Sequence, residues 1–180
     1  SISFSYWSAP KWTASYKGKD MERGTYSMIA SLLKAREKNI NILNPTILFN
    51  LTENCLSNIL EEKNGIPMLK ERKETLNKLG HVILDNYKGE FSNFIYDLRK
   101  KNALSLVSKI TKEIESFKDR VSHKGEKVYF NKRAQLLVSD IYNIFEGKSY
   151  GDLEGIEKLS ACADYKNPQV LEHFNILKYK

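Results

Sequence analysis

Apolar residues return at helical spacing along most of this chain, and that periodicity constrains its fold more than any other feature. Ala103, Leu106, Val107, Ile110, Ile114 and Phe117 share one helical face. Asn102 stands where an N-cap belongs, so a long helix is predicted over 102–117. Phe130, Ala134, Leu137, Ile141, Ile144 and Phe145 predict a second over 129–146, with Gly147 placed to end it. Shorter helical patterns cover 26–39, 52–62, 67–87 and 91–98. In the third of these, Leu69, Leu76, Leu79 and Ile83 share a face, and Gly80 costs about 1 kcal/mol relative to Ala. Asn167 and Pro168 read as N-cap and N1 of a final helix bearing Val170, Leu171 and Phe174. The aromatic stretch 2–17 reads as strand or extended chain, and strand is expected nowhere else. Residues 118–127 read as an exposed connection. The fold expected is mostly α.

With 180 residues, no repeat and no linker composition, the chain is expected to form one helical domain over 1–180. It begins on an aromatic segment without a leader and stops soon after a helix, as a fragment of a longer domain would. No window approaches the ~20 apolar residues of a membrane span, and no basic segment precedes an apolar run at the start. Two cysteines, Cys55 and Cys162, do not make a disulfide framework, and cytoplasm is the expected compartment.

The formal net charge is +7, from 29 Lys+Arg against 22 Asp+Glu. Such a balance suits nucleic acid, a membrane surface or small anions. Here the basic residues are dispersed rather than gathered on one tract. Zinc spacing, a phosphate loop and a dinucleotide fingerprint are absent, and His81, His123 and His173 lack metal or triad spacing. Neither a metal nor a cofactor is expected.

Four segments carry a family resemblance. Phe4-Ser5-Tyr6-Trp7-Ser8 is similar to F-S-F-W-S. Tyr16-Lys17-Gly18-Lys19 and Gly24-Thr25-Tyr26-Ser27 are similar to Y-x-G-K and G-Y-W-S. Phe130 with Lys132-Arg133-Ala134-Gln135 and the residues to Asp140 is similar to F-x-K-R-A-Q-I-L-V-A-D. Ala163-Asp164-Tyr165-Lys166-Asn167-Pro168-Gln169-Val170-Leu171 is similar to A-D-Y-R-x-P-Q-V-L. Together these segments resemble the queuosine salvage proteins, which are queuosine 5'-phosphate N-glycosylase/hydrolases. Cys162 stands where that family has an aromatic, and Lys166 replaces an Arg.

The resemblance implies a helical architecture like that of DNA glycosylases. It also implies hydrolysis of the N-glycosidic bond of queuosine 5'-phosphate to release queuine, without a metal, a redox cofactor or a stable nucleic-acid partner. Such a reaction passes through an oxocarbenium-like sugar, which a carboxylate can stabilise or trap. The family motif gives that role to Asp164 and places Lys132 in the same active site. On a helical wheel Lys132 falls opposite the apolar stripe, with Gln135, Leu136, Ser139 and Asn143. The residues implied to bind substrate are Phe4, Tyr6, Trp7, Tyr26, Arg133, Gln135, Tyr165 and Gln169. The alternative for such a chain is a helical nucleic-acid-binding protein or a base-excision glycosylase. That reading wants a concentrated basic face and a wedge to flip a base.

Overall fold

The computed structural model describes residues 1–21, 24–60, 64–96, 102–160 and 163–179. They fall into two compact units, Ser1–Phe94 and Ile95–Lys180. Helix is the dominant element of both. The far ends of the helices expected over 52–62 and 91–98, and Cys162, lie outside the described residues.

The first unit opens with extended chain and a two-stranded antiparallel hairpin, β1 (Ala14–Tyr16) and β2 (Lys19–Met21). Its turn is Lys17-Gly18, with φ of 49° and 76°. Two consecutive positive φ angles define a two-residue hairpin turn in which glycine is favoured. The Y-K-G-K motif is therefore a turn. Five helices follow: α1 (Gly24–Glu37), α2 (Pro45–Phe49), α3 (Glu53–Leu60), α4 (Leu69–Tyr87) and α5 (Phe91–Tyr96). Trp12, Met28, Leu48, Leu56, Ile59, Leu60 and Leu76 belong to the core they enclose. Ser27 ties α1 to the hairpin, since its hydroxyl accepts the Ala14 N–H and donates to the Met21 carbonyl.

Gly80 has a reason that the sequence hides. A Cβ there would lie 2.5 Å from the Phe49 nitrogen and 2.6 Å from the Pro45 carbonyl oxygen. The helix gives up side-chain propensity so that α4 can rest on the backbone of α2.

The second unit holds α6 (Ala103–Glu113), the hairpin β3 (Arg120–His123) with β4 (Glu126–Tyr129), α7 (Lys132–Ile144) and α8 (Lys166–His173). Asn102 caps α6 as expected, its side chain accepting the Ser105 N–H. The predicted helix over 102–117 stops early. Ile114 is extended and a 3-10 turn, Glu115–Phe117, follows, yet Ile114 and Phe117 are still buried. The apolar spacing fitted a helix, but a turn reaches the same core.

The exposed connection is a β-hairpin, so strand is not confined to the N-terminal region. It turns on Lys124-Gly125, again with two positive φ angles, 50° and 83°. This hairpin also delays α7. Tyr129 pairs with Arg120, and the Phe130 N–H donates to Asp119 O. The helix predicted from 129 therefore starts at Lys132, after Asn131 in the left-handed region. Its buried face is rotated from the predicted stripe: Ala134, Gln135 and Val138 are inside, while Phe130 is exposed and Ile144 is 75% exposed.

The last helix starts at Lys166 rather than Pro168, so Asn167 is inside the first turn and is not the N-cap. Val170, Leu171 and Phe174 are exposed.

Candidate active site

In the second unit α7 and the start of α8 bring together the two residues singled out for chemistry. Lys132 is the first residue of α7, and its Nζ lies 2.5 Å from Asp164 Oδ2. Asp164 precedes α8 by two residues, so its carboxylate sits at the positive end of that helix. Both side chains are about three-quarters buried, at 28% and 27% exposure. The hydrogen bond from Lys132 holds the Asp164 carboxyl below its ordinary range. Partial burial opposes that, while the Lys132 charge and the N–H groups of Tyr165 and Lys166 reinforce it. The result is a carboxylate kept ionised at a partly open position.

The neighbouring side chains are arranged differently. Arg133 is half-buried, donates to the Ser116 carbonyl and lies over the Phe117 ring at 5.6 Å. Burial lowers the affinity of its guanidinium for a proton, with Asp119 opposing. Gln135 is buried and bonded to Ser160 and Phe130. Tyr165 is exposed beneath the Lys166 ammonium, 5.4 Å from its ring centre, and Gln169 is exposed on the first turns of α8. A groove of about 380 Å³ in this unit is lined by residues including Lys112, Lys118, Arg120 and Asn131. Neither Lys132 nor Asp164 lines it, so its volume does not mark their site. Among the described residues, no cluster of His, Cys, Asp and Glu could hold a metal ion.

Phe4, Tyr6, Trp7 and Tyr26 belong to the first unit. Trp7 is 71% exposed and Tyr26 is also exposed. Phe4 and Tyr6 pack against the core, and the Tyr6 ring stacks on Trp12 at 6.0 Å. It also rests on Gly24, where a Cβ would fall 2.2 Å from the ring. The Phe4–Ser8 and Gly24–Ser27 motifs thus meet through a contact that only glycine permits.

Sequence reasoning missed the residue that organises this segment. Arg72, on the buried face of α4, has no exposed surface. Its guanidinium donates to the carbonyls of Pro67 at 2.9 Å, Phe4 at 2.5 Å, Ser5 at 2.9 Å and Ile2. It also lies 4.4 Å from the Phe4 ring centre and 5.2 Å from that of Tyr6. Burial pushes its pKa down to about 10, so it is still charged at neutral pH. The signal was present: an Arg midway between Leu69 and Leu76 interrupts an apolar helical face.

Fold and site together define a mostly helical protein that holds a carboxylate ionised against a lysine at a helix start. Residues 1–180 match the family described as "Queuosine salvage protein". The chain belongs to that family. It is 36% identical over 178 residues to a queuosine 5'-phosphate N-glycosylase/hydrolase of Sphaerobacter thermophilus, covering 99% of this chain and 54% of the relative. Relatives of the same name from Nematostella vectensis and Bos taurus are 32% and 31% identical, each over 99% of this chain and 52% and 53% of their own lengths. The chain spans about half the length of the curated relatives it matches.

Proposed function

We propose that this chain serves an N-glycosyl hydrolase that releases queuine from queuosine 5'-phosphate. The single observation that carries this reading is the Lys132–Asp164 contact. It joins the two longest family motifs and supplies the ionised carboxylate that the reaction needs. As the glycosidic bond breaks, positive charge grows on the sugar. Asp164 meets it as electrostatic stabiliser or as nucleophile. Water delivers hydroxide to the sugar, and its proton goes to the departing base. Queuine is a 7-deazaguanine, so the ring position that guanine hydrolases protonate is a carbon. Stabilising the sugar cation therefore carries more of the barrier, which suits a carboxylate that stays ionised.

Substrate binding follows the same reading. A guanidinium has five N–H donors, so Arg133 can keep the Ser116 carbonyl and still meet a phosphate oxygen. Tyr165 follows Asp164 directly, and Gln169 lies on α8. In the first unit the exposed rings of Trp7 and Tyr26, and the partly buried rings of Phe4 and Tyr6, suit a flat base, at about 1–3 kcal/mol per stacked base. A DNA-glycosylase-like architecture and a cytoplasmic setting complete the proposal. The helical make-up supports the first. No helix among the described residues is long and apolar enough to cross a membrane.

The experiment is to incubate the full-length protein with queuosine 5'-phosphate and, separately, with queuosine, and to measure free queuine. The nucleotide should be cleaved at least tenfold more efficiently, since one charge-assisted phosphate contact contributes about 1.5–3 kcal/mol. Absence of queuine from both would end the functional reading. Equal efficiencies would end the phosphate assignment alone.

A further inference from the structure

Gln135 was expected to touch substrate, but its amide already has protein partners at both ends. Its residue is only 7% exposed, on the same face of α7 as Ala134 and Val138. A buried primary amide has to find partners for its oxygen and its N–H groups, or lose more than the hydrogen bonds are worth. Oε1 accepts the Ser160 backbone N–H at 2.8 Å. Nε2 donates to the Phe130 carbonyl at 3.3 Å. The Ser160 hydroxyl lies 3.1 Å from each end of the amide.

The location of those partners matters more than their number. Phe130 is two residues before Lys132, and Ser160 is four residues before Asp164. One side chain therefore ties the entry of α7 to Ser160, which lies shortly before the carboxylate in the chain. Lys132, one helical turn earlier, reaches Asp164 itself. The Lys132–Asp164 contact is a second tie between α7 and the carboxylate. Partly exposed ion pairs between flexible chains contribute only about 0–1 kcal/mol, too little to fix a position. A neutral, buried and doubly anchored amide fixes it at lower desolvation cost.

We propose that Gln135 is a positioning residue, which locks Ser160 onto α7 four residues ahead of Asp164, so that the Asp164 carboxylate is aimed at the developing sugar cation. This rests on the functional reading of Asp164 given above. Misplacement of a reacting group by about 1 Å costs on the order of 100-fold in rate. Loss of the bridge should therefore lower kcat while leaving base and phosphate recognition intact.

The test compares Gln135→Met, Gln135→Glu and Asp164→Asn with the parent in the full-length enzyme, using queuosine 5'-phosphate as substrate and queuine as competing ligand. Gln135→Met keeps the volume and removes both anchors. Its kcat should fall about 10–100-fold, with KM and the queuine inhibition constant within about twofold. Gln135→Glu retains the acceptor for the Ser160 N–H and should lose less kcat than Gln135→Met. It also gives the reading if Gln135→Met does not fold. A rise in KM and in the inhibition constant, with kcat kept, would make Gln135 a substrate contact and overturn the proposal. Normal turnover per folded molecule in a variant that melts early would make it purely structural, and would overturn the proposal equally. If Asp164→Asn keeps full activity, the parent reading has failed. If Asp164→Asn is inactive and both Gln135 variants work normally, only the positioning role has failed.

Discussion

Each unit keeps a cation out of full contact with water, and the two do it in opposite ways. Arg72 in the first unit is wholly buried, bonded to four backbone carbonyls and laid over two aromatic rings. Lys132 in the second unit is partly exposed and meets a carboxylate. Burying a lone charge costs several kcal/mol unless its hydrogen bonds are well satisfied. Arg72 answers that cost with a fork of donors matched to three carbonyls of the N-terminal segment and to that of Pro67, which makes it a structural rivet. The Lys132–Asp164 pair gains little stability from so open a position. What it does secure is the ionisation state of Asp164. The first arrangement fixes a shape and the second fixes a charge.

The comparison can be broken most severely at Asp164. Asp164→Asn preserves size and deletes the charge. Turnover of queuosine 5'-phosphate by the full-length enzyme should drop at least ~10³-fold, about 4 kcal/mol of transition-state stabilisation. Melting temperature should barely move. An early-melting variant that works normally per folded molecule would show that the carboxylate only caps α8, a role worth about 0.5–2 kcal/mol.

Arg72 should show the opposite pattern. Arg72→Met leaves the carbonyls of Ile2, Phe4, Ser5 and Pro67 without that donor, at about 1–3 kcal/mol for each group that finds no replacement. A loss of roughly 3 kcal/mol in denaturant-monitored stability is expected. Arg72→Lys should lose nearly as much, because an ammonium has the charge without the planar fork. If Arg72→Lys matched the parent, charge rather than geometry would be what the site requires. Ser5 supports the geometric view. It is held at a φ of 43° between two of the bonded carbonyls, where a residue with a side chain is disfavoured.

How much of this could be read from sequence differs between the units for physical reasons. Helix α6 and its Asn102 cap were legible because one apolar face and one local side-chain bond decide them. The buried face of α7 was not. Phe130 looked like the start of its stripe, but it extends the preceding hairpin, and the helix then begins two residues later and turns another face inward. That hairpin was missed because Lys-Gly is a weaker turn signal than Asn-Gly. Lys132 and Asp164 were nameable only through their motifs. Their 2.5 Å contact joins residues 32 apart in sequence, and periodicity carries no trace of it. Arg72 was legible in principle, since a cation on an apolar helical stripe calls for an explanation. Its partners Ile2, Phe4 and Ser5, about 70 residues away, were not.

The smallest effect tests the charge-fixing half of the comparison directly. In the folded protein the Asp164 carboxyl titrates below its ordinary value of 3.8, with the Lys132 hydrogen bond as the largest cause. Because the folded value lies below the unfolded one, the pair's contribution to stability is fully present above about pH 3.8. It is lost as pH falls through the lowered folded value. The same sign applies to chemistry: Asp164 is ionised throughout the neutral and mildly acidic range and sets no activity limb there. Lys132→Met removes the largest cause, but leaves the N–H groups of Tyr165 and Lys166 in place. The carboxyl should then titrate closer to 3.8, because the remaining influences are burial, which raises it, and two backbone hydrogen bonds, which lower it. Carboxyl-carbon NMR titration of the full-length protein reads this shift without depending on turnover. An Asp164 titration that is the same in Lys132→Met and the parent would mean that the helix end alone fixes the charge. Lys132 would then need a different role from the one its contact gives it.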